Sequence, residues 1–244
     1  PWYRRTMQVI DPSSWTAQPW RNGAGTTHEL VRWPDADRFA VRISVAEGFG
    51  TAILAPALPR LRAERSNLKI ELVANPGLLS PATREVDMAV TLSPPSEGRL
   101  TAEPLCDYHL SLYAAPGYLA RRGEPSSIGA LRHSDAVGYV EDLIFAPELD
   151  YLAEIGLRGR PPLASTSIRA QREIIAAGGG IGILPCFLAD GLTRVCCDEV
   201  LLTRRLWLCI HRDIAATSRI KSLRIWLRRL VREQHNHLSP FDLP

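Results

Sequence analysis

The 244-residue sequence has no apolar run that approaches the roughly 20 residues of a membrane-spanning helix. Its first ten residues contain arginines but no apolar core after them, so they do not resemble a signal peptide. The net charge of +3 is small and gives no case for a nucleic-acid surface. The 45% hydrophobic and 23% charged residues are typical of a soluble globular protein. Because a membrane span and a signal peptide are both missing, we expect a cytoplasmic protein that contacts no membrane.

Paired cysteines and the common catalytic motifs are also missing. The five cysteines are an odd number without a C-x-x-C spacing, which predicts free thiols in a reducing compartment. The adjacent residues Cys196 and Cys197 have no histidine beside them in the sequence, so they do not predict a metal site. The sequence contains no G-x-S-x-G, P-loop or H-E-x-x-H motif. We therefore expect no catalytic residues, no metal and no cofactor, and a binding protein rather than an enzyme.

One stretch, residues 165–188, combines several structural signals. Apolar residues at helical spacing, beginning with Ile168, predict one buried helix face, and the hydroxyl residues 165–167 predict its N-terminal cap. Glycines 178–180 predict the end of this helix, and residues 181–184 predict a short buried strand after it. Because free N–H groups point out of a helix N-terminus, this end of the helix predicts a site for a carboxylate or another anion.

The rest of the chain alternates strands with helices, which predicts an α/β protein with a parallel sheet. Residues 48–51, G-F-G-T, predict a glycine turn between the first strand and the first helix. The final helix is apolar on one face and basic on the other, and we interpret it as a domain helix with a solvated basic face. The predicted strands are 41–45, 69–73, 86–90, 136–140, 181–184 and 206–210, and the predicted helices include 118–122, 147–155 and 218–233.

Residues 19–30 read P-W-R-N-G-A-G-T-T-H-E-L. They are the most specific part of a longer stretch, residues 7–47, that resembles the start of the HutD/Ves family of cupin-like proteins. The strands that a cupin barrel needs for closure do not follow, so we carry over no cupin activity. We expect residues 1–40 to form an N-terminal extension with a hairpin around Asn22-Gly23. A HutD/Ves-like metabolite-binding protein remains one alternative function.

A second resemblance shares Ala46-Glu47 with the first, which stops near Glu47. The motifs E-G-F-G-T-A-I-L-A-P, I-E-L-V-A-N-P-G-L-L and R-E-V-D-M-A-V-T-L-S follow in order, and S-x-R-A-x-x-x-x-I-A-A-G-x-G-I-G-x-L-P comes later. Their succession over residues 41–234 resembles the effector-binding domain of LysR-type transcriptional regulators. We infer that two sequences are fused at this point.

The LysR resemblance implies two Rossmann-like α/β lobes joined by two crossover strands, a periplasmic-binding-protein-like clamshell. It places lobe I at residues 41–110 and 211–234, lobe II at residues 111–210 and a tail at residues 235–244. A small-molecule effector, such as an organic acid, would bind between the lobes and bias their orientation. The family carries a winged helix-turn-helix ahead of this domain. We expect contact with DNA only through such a domain, which these residues do not contain, and we expect a homodimer.

Loops at the carboxyl ends of parallel strands line the ligand crevice of such a sheet. Hydroxyls, rings and backbone N–H groups near these ends are therefore the expected contacts of a small effector. A solute-binding protein for transport shares the two-lobe architecture and is a further alternative, which the missing export signal and the five cysteines disfavour. The predicted effector-binding residues are Phe49, Gly50, Thr51, Asn75, Thr91, Tyr139, Thr166 and Ser167.

Overall fold

The computed structural model describes residues 40–66, 68–74, 85–95, 99–131 and 135–241. The predicted N-terminal extension with its hairpin, up to residue 39, lies outside the described residues. The strands of the described part are β1 (Ala40–Val45), β2 (Lys69–Val73), β3 (Met88–Thr91), β4 (Leu100–Ala114), β5 (Ala136–Gly138), β6 (Leu163–Ala164), β7 (Ile181–Pro185), β8 (Thr193–Val195) and β9 (Leu202–His211).

The first helix, α1, is a continuous helical segment that contains a π-helical turn. It consists of Glu47–Phe49, the π turn Gly50–Leu54 and Ala55–Glu64. Short 3₁₀ turns lie at Ile128–Ala130, Glu141–Leu143, Pro147–Leu149 and Cys186–Leu188. The other helices of the described part are α2 (Pro116–Arg122), α3 (Tyr151–Glu154), α4 (Ile168–Ala176), α5 (Arg212–Ala215), α6 (Ser218–Glu233) and α7 (His235–Leu238).

The strands form one sheet in the order β2-β1-β3-β9-β4-β7-β5-β6, and β8 also pairs with β4. Strands β1, β2 and β3 are parallel and belong to lobe I, which also contains α1 and α6. Strands β5, β6 and β7 are parallel and belong to lobe II, which also contains α2 and α4. The expected parallel pairing is therefore confirmed within each lobe. The pairs that join the lobes are antiparallel.

Two long strands connect the lobes. Strand β4 pairs antiparallel with β9 from Leu100 opposite His211 to Leu110 opposite Leu202, with a register shift between Pro104 and Cys106. The first part of this pair adjoins β3 of lobe I, whereas the end of β4 pairs with β7 of lobe II. The expected α/β fold of two lobes joined by two crossover strands is thus present.

The predicted glycine turn at residues 48–51 is wrong, because these residues lie inside α1. The glycines serve close packing instead of a turn. A Cβ on Gly50 would lie 2.3 Å from Val45 Cγ2, and a Cβ on Gly48 would lie 3.2 Å from Leu188 Cδ1. Gly50 therefore lets α1 approach its own strand β1, and Gly48 lets α1 approach lobe II.

Helices α4 and α6 fold as their sequence patterns predict. Helix α6 covers the predicted residues, and six apolar side chains at intervals of three and four residues are buried along one face. Each such side chain stabilises the fold by roughly 1.5–3 kcal/mol relative to an exposed position. Helix α4 buries Ile168 and Ile175, and Gly178 follows its end with a φ of +80°. The six buried residues of α6 are Ile220, Leu223, Trp226, Leu227, Leu230 and Val231.

Candidate functional site

A cavity of about 250 Å³ lies between the lobes. It is bounded by the start of α1 in lobe I, by the start of α4 in lobe II and by residues of both crossover strands. This position, where loops follow parallel strands, is the one that the sequence predicts for a ligand. The residues that line it are Ala46, Glu47, Gly48, Phe49, Ala74, Leu92, Tyr108, Tyr139, Phe145, Leu149, Tyr151, Thr166, Ser167, Ile168, Pro185, Phe187 and Leu206.

At the edge of this cavity, a carboxylate of lobe I is bound by lobe II. The Ser167 hydroxyl donates a hydrogen bond to Glu47 Oε1 at 2.7 Å, and the Ile168 N–H donates one to Glu47 Oε2 at 3.0 Å. The Ser167 hydroxyl also accepts a hydrogen bond from the Ala170 N–H at 3.0 Å, and it thereby caps α4. The N-terminus of α4 does hold an anion, as predicted, but this anion is a side chain of the protein itself.

Further contacts hold the two lobes together beside the cavity. The Ser93 hydroxyl, which follows β3 of lobe I, donates a hydrogen bond to Glu148 Oε1 of lobe II. Gly48 faces Leu188 and Ile168 so closely that a side chain there would crowd both. In the described residues, the lobes are therefore in direct contact at more than one place beside the cavity.

Aromatic rings form much of the cavity wall. Three of the five phenylalanines of the chain and three of its six tyrosines line it. The Tyr108 and Phe187 rings have centroids 5.7 Å apart and cross at 60°, and the Tyr139 and Tyr151 rings have centroids 5.8 Å apart and cross at 67°. Such edge-to-face pairs leave ring faces for other contacts. Phe145 is 56% exposed and lies at the cavity mouth.

The tyrosines of the cavity remain neutral phenols. Burial raises the pKa of Tyr108, Tyr139 and Tyr151 above the ordinary value for tyrosine. For Tyr139, electrostatic interactions with Tyr151 and with the Glu47 carboxylate raise the pKa further. Their hydroxyls can therefore donate or accept hydrogen bonds without adding charge to the cavity.

The charge of the cavity lining comes from one residue. Among the described residues that line it, Glu47 is the only charged side chain, and none is lysine, arginine or histidine. The described residues contain no group of three or more His, Cys, Asp or Glu that could hold a metal ion. The same part of the chain contains no helix long and apolar enough to span a membrane.

The structure brings four of the predicted effector-binding residues to the cavity: Phe49, Tyr139, Thr166 and Ser167. Three others lie away from its lining. Gly50 is buried against β1, the Thr51 hydroxyl donates a hydrogen bond to the Glu47 carbonyl at 2.8 Å, and the Thr91 hydroxyl donates one to the Ser93 carbonyl at 2.6 Å. Asn75 lies outside the described residues.

Glu47 and four aromatic residues of the cavity are not among the residues predicted from the sequence. Glu47 carries one local signal, an acidic residue in the first turn of a helix, which is typical of the N-terminus of its own helix and does not indicate a partner on another helix. The aromatic residues carry no such signal, since they come from separate elements without a common spacing. The four are Tyr108, Phe145, Tyr151 and Phe187.

The sequence of this two-lobe domain matches a known protein family. The family model described as the LysR substrate binding domain matches residues 35–232, which is most of the chain. The chain belongs to the LysR substrate-binding domain family. A second model, HutD, matches only residues 13–48, so the sequence resemblance of this segment is confirmed but a HutD-like function is not favoured. The two models overlap over residues 35–48, which include β1 and Glu47.

The LysR domain of this chain is similar to curated transcription regulators. It is 25% identical over 172 residues to the HTH-type transcriptional regulator CrgA of Neisseria meningitidis, which covers 68% of this chain and 56% of the relative. It is 28% identical over 143 residues to the iron-regulated virulence regulatory protein IrgB of Vibrio cholerae, which covers 57% of this chain and 47% of the relative. The chain thus spans about half the length of these relatives, which are named as regulators and not as enzymes.

Solved structures show the same fold. The regulatory domain of CrgA from Neisseria meningitidis superposes with a TM-score of 0.67 at 23% identity, covering 80% of this chain and 98% of that domain. The effector domain of AmpR from Pseudomonas aeruginosa superposes with a TM-score of 0.63 at 16% identity, covering 80% of this chain and 96% of that domain. These matches confirm the periplasmic-binding-protein-like fold of two lobes.

Proposed function

We propose that this domain binds a small-molecule effector in the cavity between its lobes, as the regulatory part of a LysR-type transcriptional regulator. The observation that carries the proposal is one cavity lined by both lobes and bounded by contacts between them. A ligand that favours one arrangement of the lobes shifts their equilibrium in proportion to its differential affinity. Four predicted residues, Phe49, Tyr139, Thr166 and Ser167, line this cavity and would contact the effector.

Regulation of transcription requires contact with DNA. The matched relative CrgA is named an HTH-type regulator, and its matched region is 56% of its length. We propose that DNA is contacted by a helix-turn-helix domain, which lies outside the region that this chain and CrgA share. The family membership supports a homodimer that acts in the cytoplasm, and sedimentation of the purified chain over a range of concentrations tests the dimer.

The effector proposal is tested by thermal unfolding of the 244-residue chain against a broad panel of metabolites, including acids, amines and neutral aromatic compounds. A compound that binds only the folded state raises the midpoint as its concentration rises. The cavity-filling substitution Leu92→Trp is expected to abolish this shift. The matched control Leu202→Trp, at a half-buried position outside the lining, is expected to retain it. The proposal fails if no compound shifts the midpoint, or if both variants respond like the parent.

A further inference from the structure

The cavity already contains the anion that the sequence predicts for its ligand. The Glu47 carboxylate accepts hydrogen bonds from the Ser167 hydroxyl and the Ile168 N–H, so it occupies the N-terminus of α4. An organic acid would have to displace this carboxylate, or lie beside it with like charge and without a cationic partner among the described lining residues. Both arrangements disfavour an acidic ligand.

The same arrangement favours a cation. Each oxygen of a carboxylate offers two lone pairs, and the two hydrogen bonds from lobe II use one on each oxygen. Glu47 can therefore accept N–H donors from a ligand without releasing Ser167. A buried ammonium needs such a partner, because an unpaired charge in an apolar cavity loses its hydration without compensation.

The aromatic wall provides the second component of a cation site. Rings of Phe49, Tyr108, Tyr139, Phe145 and Phe187 come from both lobes and from a crossover strand, and they line the same cavity as Glu47. The negative face of an aromatic ring attracts an ammonium group, most strongly where water is excluded.

A neighbouring contact within this protein also places a cation against an aromatic ring. The guanidinium carbon of Arg204 lies 5.7 Å from the centroid of the Tyr151 ring, and Arg204 also pairs with Glu154. One ring of the cavity wall therefore already contacts a cation that is held by a carboxylate. Arg204 itself does not belong to the cavity lining.

A second carboxylate reinforces the negative character of the region between the lobes. Glu148 accepts a hydrogen bond from the Ser93 hydroxyl through Oε1, and its Oε2 is buried without a hydrogen-bond partner among the described residues. Glu148 precedes Leu149, which lines the cavity.

We infer that the effector of this domain is an organic cation, an amine with an aromatic or other apolar body, whose ammonium group binds Glu47 and whose body packs against the aromatic wall. This inference rests on the proposed function, since it names the ligand class of the same cavity. The cavity of about 250 Å³ suits one ring with a short amine-bearing chain. The exposed Phe145 at the mouth would be covered by such a ligand.

The inference is tested with three probes that share one ring and one ethylene linker: phenethylamine, 3-phenylpropanoate and 2-phenylethanol. Binding to the 244-residue chain is measured by calorimetry and by the thermal midpoint. We expect the amine to bind about tenfold or more tightly than either the acid or the alcohol, which corresponds to about 1.4 kcal/mol. Equal binding of all three, or tighter binding of the acid, overturns the cation assignment.

Two variants locate the bound amine. Glu47→Gln keeps the shape of the side chain and removes its charge, and we expect it to weaken phenethylamine binding by about tenfold and to leave binding of the alcohol unchanged. Phe145→Leu changes an exposed ring, so the fold is retained, and we expect a loss of about threefold to tenfold for the amine. Unchanged amine binding in both variants overturns the assignment.

The outcomes separate this inference from the proposed function. Suppose that none of the three probes binds, but another compound of the broad panel binds and Leu92→Trp abolishes that binding. The domain is then an effector domain with a different ligand class. If an acid binds and Leu92→Trp abolishes that binding, the function also stands and the cation assignment is wrong. If no compound of either set binds, both proposals fail.

Discussion

The Ser167 hydroxyl donates a hydrogen bond to the Glu47 carboxylate across the boundary between the lobes, with 2.7 Å between the two oxygens. The two residues are 120 positions apart in the sequence, and each begins a helix that faces the other. The same hydroxyl caps α4 through the Ala170 N–H. Stability of α4 and contact between the lobes are therefore coupled through one side chain.

A double-mutant cycle of Glu47→Gln and Ser167→Ala tests this coupling. We expect Ser167→Ala to lower the free energy of unfolding by about 1 kcal/mol, because the N-terminal cap of α4 is lost. We expect Glu47→Gln to cost about 0.5–1 kcal/mol, because a negative charge leaves a helix N-terminus. Urea unfolding of the single and double variants should give an interaction energy of about 0.5 kcal/mol or more.

The control for this cycle is Thr166→Ala, at an exposed position next to Ser167. We expect it to change the free energy of unfolding by less than about 0.5 kcal/mol. Strictly additive effects of the Glu47 and Ser167 substitutions would contradict the coupling.

Gly182 in β7 provides a test of packing in lobe II. A Cβ at this position would lie 2.7 Å from Ile175 Cδ1 and 2.8 Å from the Val137 carbonyl oxygen. We expect Gly182→Ala to lower the free energy of unfolding by about 1–3 kcal/mol, because helix α4 or strand β5 has to move. Chemical unfolding followed by circular dichroism measures this loss.

The matched control is Gly117→Ala in α2. Its added Cβ would meet only Arg121 Nη1 at 3.8 Å, an ordinary contact. We expect this variant to be more stable than the parent by about 0.5–1 kcal/mol, because alanine loses less backbone freedom than glycine in a helix. Equal effects of the two glycine substitutions would refute the packing argument.

The pH dependence of stability is expected to report the ion pairs between β4 and α6. Burial alone would raise the pKa of Glu103, but hydrogen bonds from Arg224 and Arg228 outweigh it and hold this pKa below the ordinary value of 4.5. The folded state therefore binds this proton less readily than the unfolded state. Its contribution to stability is complete above pH 4.5 and is lost as the pH falls through the folded-state pKa.

We expect Glu103→Gln to lower the free energy of unfolding by about 1 kcal/mol at neutral pH. The difference from the parent should stay constant from neutral pH down to about pH 4.5 and shrink below it, because the parent carboxylate becomes protonated as the pH falls through its folded-state pKa. Urea unfolding of both proteins at each pH measures this difference. A difference that does not shrink in acid would show that the carboxylate charge is not responsible.

Tyrosine ionisation tests the neutrality of the cavity wall. Because burial raises the pKa of Tyr139, we expect no tyrosinate from it in the folded protein below about pH 11. Tyr139→Phe should therefore leave the alkaline absorbance change of the folded protein unaltered. In denaturant the same substitution should remove one sixth of the change, since the chain has six tyrosines. A smaller signal from the folded variant would contradict the raised pKa.

Local sequence signals predicted several elements correctly. Helix α6 occupies the predicted residues 218–233, because its apolar spacing and length identify a buried face without knowledge of the partner. The cap at Ser167 and the glycine end of α4 were equally readable, since both depend on residues within one turn. Strand β1 was predicted too, although it lies where the HutD and LysR models overlap.

The site was less predictable than the elements that form it. Four of the predicted effector-binding residues line the cavity, because parallel strands end at the same edge of a sheet. The prediction assumed that the glycines at 48–51 formed a turn. In the structure these residues belong to α1, so Thr51 lies inside a helix and away from the cavity. Nothing local indicates whether a glycine permits a turn or a close approach.

The sequence by itself determined the α/β class, several of the strands and helices and the family of the domain, because periodicity, caps and ordered motifs are properties of neighbouring residues. Only the tertiary structure decided what the cavity contains. Glu47 meets Ser167, and Tyr108 meets Phe187, across separations that carry no spacing rule. Contacts of this kind depend on how the crossover strands place one lobe against the other. The sequence therefore predicted an anion at α4, and the structure decided that the protein supplies it.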